Sequence, residues 1–196
     1  MKKYIILLFI FVISVALVYW FWPNSKGLPI LEKVKAFQLD DVHGNIYHSD
    51  NNKIKLLTFY YTNCPDICPL TMVDFNDLQA DLKSEDLFGK KVELVAITFD
   101  PKHDTTEVIR NYASAFQADP LGWKWLRGTE KETKTIADQL KLQYVESEDG
   151  IYTHSTTMYL IDVNNKVRAL YQMSNSKNPI EKEKILEDIR LLTDEF

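Results

Sequence analysis

The chain has 196 residues, 45% of them hydrophobic and 26% charged, with a formal net charge of −5 and only two cysteines. An isoelectric point near 5.4 argues against a nucleic-acid binder, which would need a basic face. The six glycines (Gly27, Gly44, Gly89, Gly122, Gly128 and Gly150) never fall in phosphate-loop spacing, so nucleotide chemistry by that route is excluded as well.

From Tyr4 to Trp22 no residue is charged, and Ser14 is the only non-aromatic polar one. As a helix this run is about 28 Å long, close to the thickness of a bilayer core. Lys2 and Lys3 precede it, and Tyr19, Trp20 and Trp22 close it where amphipathic rings favour the interface. The reading is therefore a cytoplasmic head over 1–3, a single-pass transmembrane signal anchor over 4–22, and a polar linker over 23–35. The domain over 36–196 then lies on the outer, extracytoplasmic side of the cell membrane. Lys26, Lys33 and Lys35 beyond the run do not favour that polarity, whereas the three-residue head does. A cleaved signal peptide is the competing reading. Ser14-Val15-Ala16 offers small residues to a peptidase, but the chain stays apolar for six more. No cysteine follows the run closely enough to carry an N-terminal lipid.

Further on, Ala36–Leu39 and Asn45–Tyr47 flank Asp41-Val-His-Gly44, a short hairpin with glycine in the turn. Ile54–Tyr61 reads as a buried strand. From Pro69 the period becomes helical, with Met72, Phe75, Leu78 and Leu82 on one face. Val92–Phe99 is a second buried strand, and Val108, Ile109, Tyr112 and Phe116 mark a second helix capped by Asp104 or Thr105. Thr129 and Glu132 form a capping-box pair that starts a third. Thr157–Ile161 and Lys166–Gln172 are strands around an Asn164-Asn165 turn, and Ile185, Ile189, Leu192 and Phe196 line a closing helix. This order predicts an α/β domain of thioredoxin-like fold with an added N-terminal β-hairpin.

Both cysteines lie in Cys64-Pro-Asp-Ile-Cys-Pro69, between a strand and a helix N-terminus, where the helix dipole favours thiolate. Pro65 and Pro69 stiffen the loop. A structural disulfide closing so short a loop constrains the unfolded chain little. A thiol–disulfide oxidoreductase normally has two residues between its cysteines, and here there are three. A peroxidase would need its threonine two residues upstream of Thr62. A soft metal held by two thiolates needs a further ligand. Among the four histidines, His43 and His48 belong to the hairpin and His103 to a strand-to-helix corner, while His154 immediately precedes a strand of the C-terminal hairpin. In a thioredoxin-like sheet that place packs against the cysteine loop. Two sulfurs and an imidazole suit Cu(I) and admit Cu(II), whereas structural zinc wants a fourth protein ligand.

Cys64-Pro-Asp-Ile-Cys-Pro69, Thr98-Phe-Asp-Pro-Lys-His-Asp-Thr105 and His154-Ser155 followed by Tyr159-Leu-Ile-Asp162 together resemble the Sco (SenC) copper proteins. The resemblance runs from about Ala36 to the last helix. It implies a thioredoxin-like fold, membrane anchoring, and copper held by Cys64, Cys68 and His154. It also implies a role in building the dinuclear copper centre of cytochrome c oxidase subunit II. Asp100 matches an acidic family position near the metal loop, where it would support the ligands from behind; as a plain residue it is a helix cap or turn former. Thr153 stands where the family often has an acidic residue, which weakens tuning from that side. Three roles need the same accessible cysteine pair: copper delivery, thiol–disulfide reduction of the oxidase cysteines without copper, and copper or redox sensing.

Overall fold

The computed structural model describes residues 3–4, 11–15, 27–147 and 152–196. Of the anchor expected over 4–22, only residues 4 and 11–15 are described, and these are helical; the rest of that expectation lies outside the described residues. Among the described residues no helix is long and apolar enough to cross a membrane.

Among the described residues from 27 onward, ten strands and four helices follow in order: β1 (Glu32–Lys33), β2 (Gln38–Asp41), β3 (Asn45–His48), β4 (Ile54–Tyr60), α1 (Ile67–Ser84), β5 (Val92–Thr98), α2 (Thr106–Ala115), β6 (Trp123–Arg127), α3 (Glu130–Gln139), β7 (Tyr144–Glu146), β8 (Tyr152–His154), β9 (Thr157–Ile161), β10 (Lys166–Gln172) and α4 (Lys182–Glu195). Eight strands form one sheet in the order β1-β10-β9-β4-β5-β6-β2-β3, and β7 pairs with β8 as a separate ribbon. β4, β5 and β6 are mutually parallel, joined by α1 and α2 as crossovers, and the remaining pairs are antiparallel. This is the thioredoxin-like α/β plan, with β2–β3 as the added hairpin on the far edge. Gly44 supplies the positive φ of +97° in its turn.

All seven residues of β4 and of β5 are buried. Strands covered on both faces read as continuous apolar runs, so these two are plain in the sequence. β6 is not plain, because Lys124 and Arg127 interrupt its apolar residues. The linker expected over 23–35 is not free at its C-terminal end. β1 pairs with β10, and the Leu31 N–H donates to the Val167 carbonyl at 2.8 Å.

Lys55 and Glu93 are charged side chains inside the sheet. Lys55 is 1% exposed, opposite Glu93 in the parallel register, and its Nζ donates to the Lys53 carbonyl at 2.7 Å. Glu93 is held by Lys53 at 2.8 Å and by Asn51 at 2.8 Å. Burial strips water from the Lys55 ammonium and lowers its pKa to about 8. The unfolded chain then binds the proton more tightly than the folded one, so stability rises with pH between about 8 and 10.5. Lys55→Met is expected to raise stability at pH 7 by about 1–3 kcal/mol, measured by urea unfolding, with the gain shrinking as pH rises through that window.

Candidate metal centre

Helix α1 begins at Ile67, two residues before the expected start, and Pro69 occupies the third helical position. Proline is tolerated there because the first-turn N–H groups have no intrahelical partner. Asp66 stands at the N-cap but makes no side-chain capping bond. The sulfur of Cys64 takes that place, accepting from the Cys68 N–H at 3.4 Å. Cys64 is half-buried, Cys68 is fully buried beneath it, and neither is bridged.

The two thiols differ in chemistry. The Cys64 thiol is lowered to about 4, first by the side chain of Cys68, then by the His154 imidazole and by the Asp66 and Cys68 N–H groups, against the opposing effect of burial. Cys68 is pushed far up because it keeps the proton of the pair and is buried. An unfolded cysteine ionises near 9, so the Cys64 thiolate adds stability at neutral pH, and the gain is lost as pH falls through about 4.

His154 ends β8, with Tyr144 as its partner across the ribbon. Its Nδ1 lies 3.0 Å from the Ser155 carbonyl oxygen. A carbonyl only accepts, so Nδ1 is the donor there, and Nε2 is the ring nitrogen left for other partners. An open cleft of about 300 Å³ has Cys64, Pro65 and Ile67 on one wall and Tyr152, Thr153 and His154 on the other. Cys64 and His154 thus share one cleft and are in hydrogen-bonding contact, while Cys68 is reached through Cys64. As placed, no three His, Cys, Asp or Glu side chains among the described residues are grouped to hold a metal ion.

An aromatic cluster holds the ribbon in place. The Tyr152 ring lies 5.1 Å from Tyr61 and 5.0 Å from Phe99, and Phe99 stacks on Tyr144 at 5.1 Å. The His154 ring is 5.0 Å from Phe99 and edge-on to Tyr61. Sequence reasoning missed this cluster, although the alternation Tyr152-Thr153-His154 places Tyr152 and His154 on one face. It also missed Asp104. Thr105 is the cap of α2, whereas the buried Asp104 carboxylate accepts from the Thr62 N–H at 3.2 Å, from the Thr62 hydroxyl, and from Thr98 Oγ1 at 2.5 Å. Asp100 is buried, binds His103 Nδ1 at 2.9 Å and meets the Tyr152 side chain. Its carboxylate meets the site through that tyrosine. His43 sits on Asp41 at 3.0 Å and His48 on β3, at the opposite edge of the sheet.

A thioredoxin-like domain whose strand-to-helix loop carries two unequal cysteines facing a histidine ribbon defines a class. A family model described as SCO1/SenC matches residues 29–191, and the chain belongs to that family. An SCO2-like protein of Rickettsia felis is 32% identical over 154 residues, 74% of this chain and 71% of the relative. A SCO1/SenC family lipoprotein from Bacillus anthracis superposes with a TM-score of 0.74 at 29% identity, over 83% of this chain and 95% of its own. ScoI of Bradyrhizobium japonicum, solved with copper bound, gives 0.64 at 26% identity, over 83% and 99%.

Alkylation of Cys64 by iodoacetamide, followed by peptide mass spectrometry, is expected to proceed at a nearly constant rate from pH 8 down to 5 and to fall only near 4. An ordinary thiol would slow about tenfold per pH unit over the same range. His154→Ala should move the midpoint upward.

Proposed function

We propose that this protein carries copper as cargo on Cys64, Cys68 and His154 and delivers it to the dinuclear copper centre of cytochrome c oxidase subunit II. The single observation that carries the reading is the cleft in which Cys64 and His154 meet above Cys68. The donor set fits the ion. Two sulfurs match the softness of Cu(I), and Nε2 is the imidazole nitrogen that the Nδ1–Ser155 bond leaves to ligate. Copper bound in ScoI and the family resemblance point the same way. Full coordination draws His154 toward Cys68, a movement of the β7–β8 ribbon against a fixed sheet. A three-coordinate ion leaves room for an incoming thiolate, which makes ligand exchange with a partner site direct. The apolar run over 4–22 anchors the chain, with the domain on the extracytoplasmic side.

Copper titration of the reduced chain, read by competition with a chromogenic chelator, should give one ion per chain. Cys64→Ala, Cys68→Ala and His154→Ala should each weaken binding by about tenfold or more. Unaltered affinity in any of the three would overturn this donor set.

A second reading is favoured by the inequality of the cysteines, a half-exposed thiolate beside a buried thiol. That is the arrangement of a thiol–disulfide reductase, acting on the oxidase cysteines without carrying metal. The two readings separate in a strain lacking the gene, by oxidase activity with and without added copper. Delivery predicts rescue by copper and loss of function in His154→Ala, whereas reduction predicts neither.

A further inference from the structure

The domain does not hang freely from its N-terminal segment. Arg168, 4% exposed, donates to the Leu28 carbonyl at 2.6 Å and the Pro29 carbonyl at 3.3 Å. The same guanidinium binds Asp162 at 3.0 Å and Glu195 at 2.8 Å. Its charge is balanced by two carboxylates and its donors are spent on backbone, so Leu28 and Pro29 are fixed to the body of the domain. Gly27 stands against the Glu195 and Arg168 side chains, close enough that an added Cβ would lie 3.1 Å from Glu195. The polar stretch left between Trp22 and Gly27 is residues 23–26. Even fully extended, that stretch spans less than about 20 Å.

The surface at this corner is unusually apolar. Ile30 is 59% exposed, Leu31 50%, Leu170 53% and Phe196 50%. Leu31 and Leu170 line one shallow cavity of about 210 Å³ with Tyr159, Leu140 and Val167 beneath them. At the end of the same edge Lys33 lies directly across from Lys166 in the β1–β10 register. Like charges in that relation repel unless an anion meets them. Exposed aliphatic side chains beside lysines that make no ion pair among the described residues match the boundary between acyl chains and anionic headgroups.

We propose that the β1 edge of the domain, presenting Ile30, Leu31, Leu170 and Phe196, rests on the lipid surface of a bilayer bearing anionic headgroups. The inference builds on the anchoring of residues 4–22 put forward above. The pinned segment and the short remaining tether keep this corner within reach of the bilayer, and the side chains there suit it. One consequence concerns the cleft. β4 is three strands in from β1, so the cysteine loop is held about 14 Å above the surface at about 4.8 Å per strand. Cys64 lies beyond the C-terminal end of β4, so with the sheet resting on its β1 edge the cysteine loop stands at the strand ends and not against the lipid. The partner it suits is another membrane-bound protein with its acceptor site at a similar height.

The test uses the full chain reconstituted in vesicles of phosphatidylcholine and phosphatidylglycerol, with acyl-brominated lipid as the quencher of tryptophan emission. Leu31→Trp and Leu170→Trp are each compared with Leu121→Trp, which is 62% exposed by the N-terminus of β6, far across the sheet. Most of the emission added at residues 31 and 170 should be lost, and that added at residue 121 retained. Each position reports separately, so misfolding of one variant leaves the other informative. If Trp20 and Trp22 are quenched in the unmodified chain while residues 31 and 170 are not, the anchor stands and the docking is overturned. If Trp20 and Trp22 escape quenching, the anchor fails and the docking with it.

Discussion

The geometry of the site depends on one buried carboxylate. Asp104 is 1% exposed and receives the Thr62 N–H, the Thr62 hydroxyl and the Thr98 hydroxyl, while its own carbonyl accepts from Arg127 Nε at 2.9 Å. Thr62 follows β4, Thr98 ends β5 and Arg127 ends β6, so this residue ties together the C-terminal ends of all three parallel strands. Burial raises its pKa, and the threonine donors work against that rise. A charge kept out of water persists only where such donors surround it. Because Thr62 is bound in this way, the chain leaves β4 in a fixed direction and presents Cys64 at the N-terminus of α1.

On that floor the site divides into a rigid half and a half that moves more easily. Cys64 and Cys68 belong to a loop stiffened by prolines and to the first turn of a helix packed on the sheet. His154 belongs to a two-stranded ribbon outside the main sheet, held by the aromatic cluster of Tyr61, Phe99, Tyr144 and Tyr152. Ring contacts of this kind are non-directional compared with a strand ladder and tolerate small shifts at little cost. In the copper-carrying reading proposed above, the sulfur pair sets where a soft ion binds and the ribbon sets when the third ligand arrives. The same division explains why one thiol is ionised and the other protonated. The half-exposed sulfur collects the donors at the helix terminus, while the buried one keeps the proton that the pair shares.

Much of this was legible in the residues. Fully buried strands announce themselves as apolar runs, and the Thr129–Glu132 capping box appears where its spacing placed it. The two-cysteine loop between strand and helix, and a histidine ahead of the C-terminal strands, were likewise visible. Three features were not. β6 carries a lysine and an arginine whose bonds to the Pro120, Asp104 and Pro101 carbonyls are satisfied only in the fold. β1 has two residues, too few for any period to show. The short β7–β8 ribbon is made by the contact of its rings with Tyr61 and Phe99, which come from other parts of the chain.

The sequence by itself determined the local order of strands and helices, the chemistry available at Cys64 and Cys68, and the apolar run over 4–22, because each is written in neighbouring residues. Only the tertiary structure decided that Cys64 is the ionised partner, that Asp104 is a buried tie and not a helix cap, and that Leu28 and Pro29 are clamped to the domain by Arg168. These depend on which groups lose water together and which donors converge on them. Burial and convergence join residues distant along the chain, and no spacing or composition encodes them.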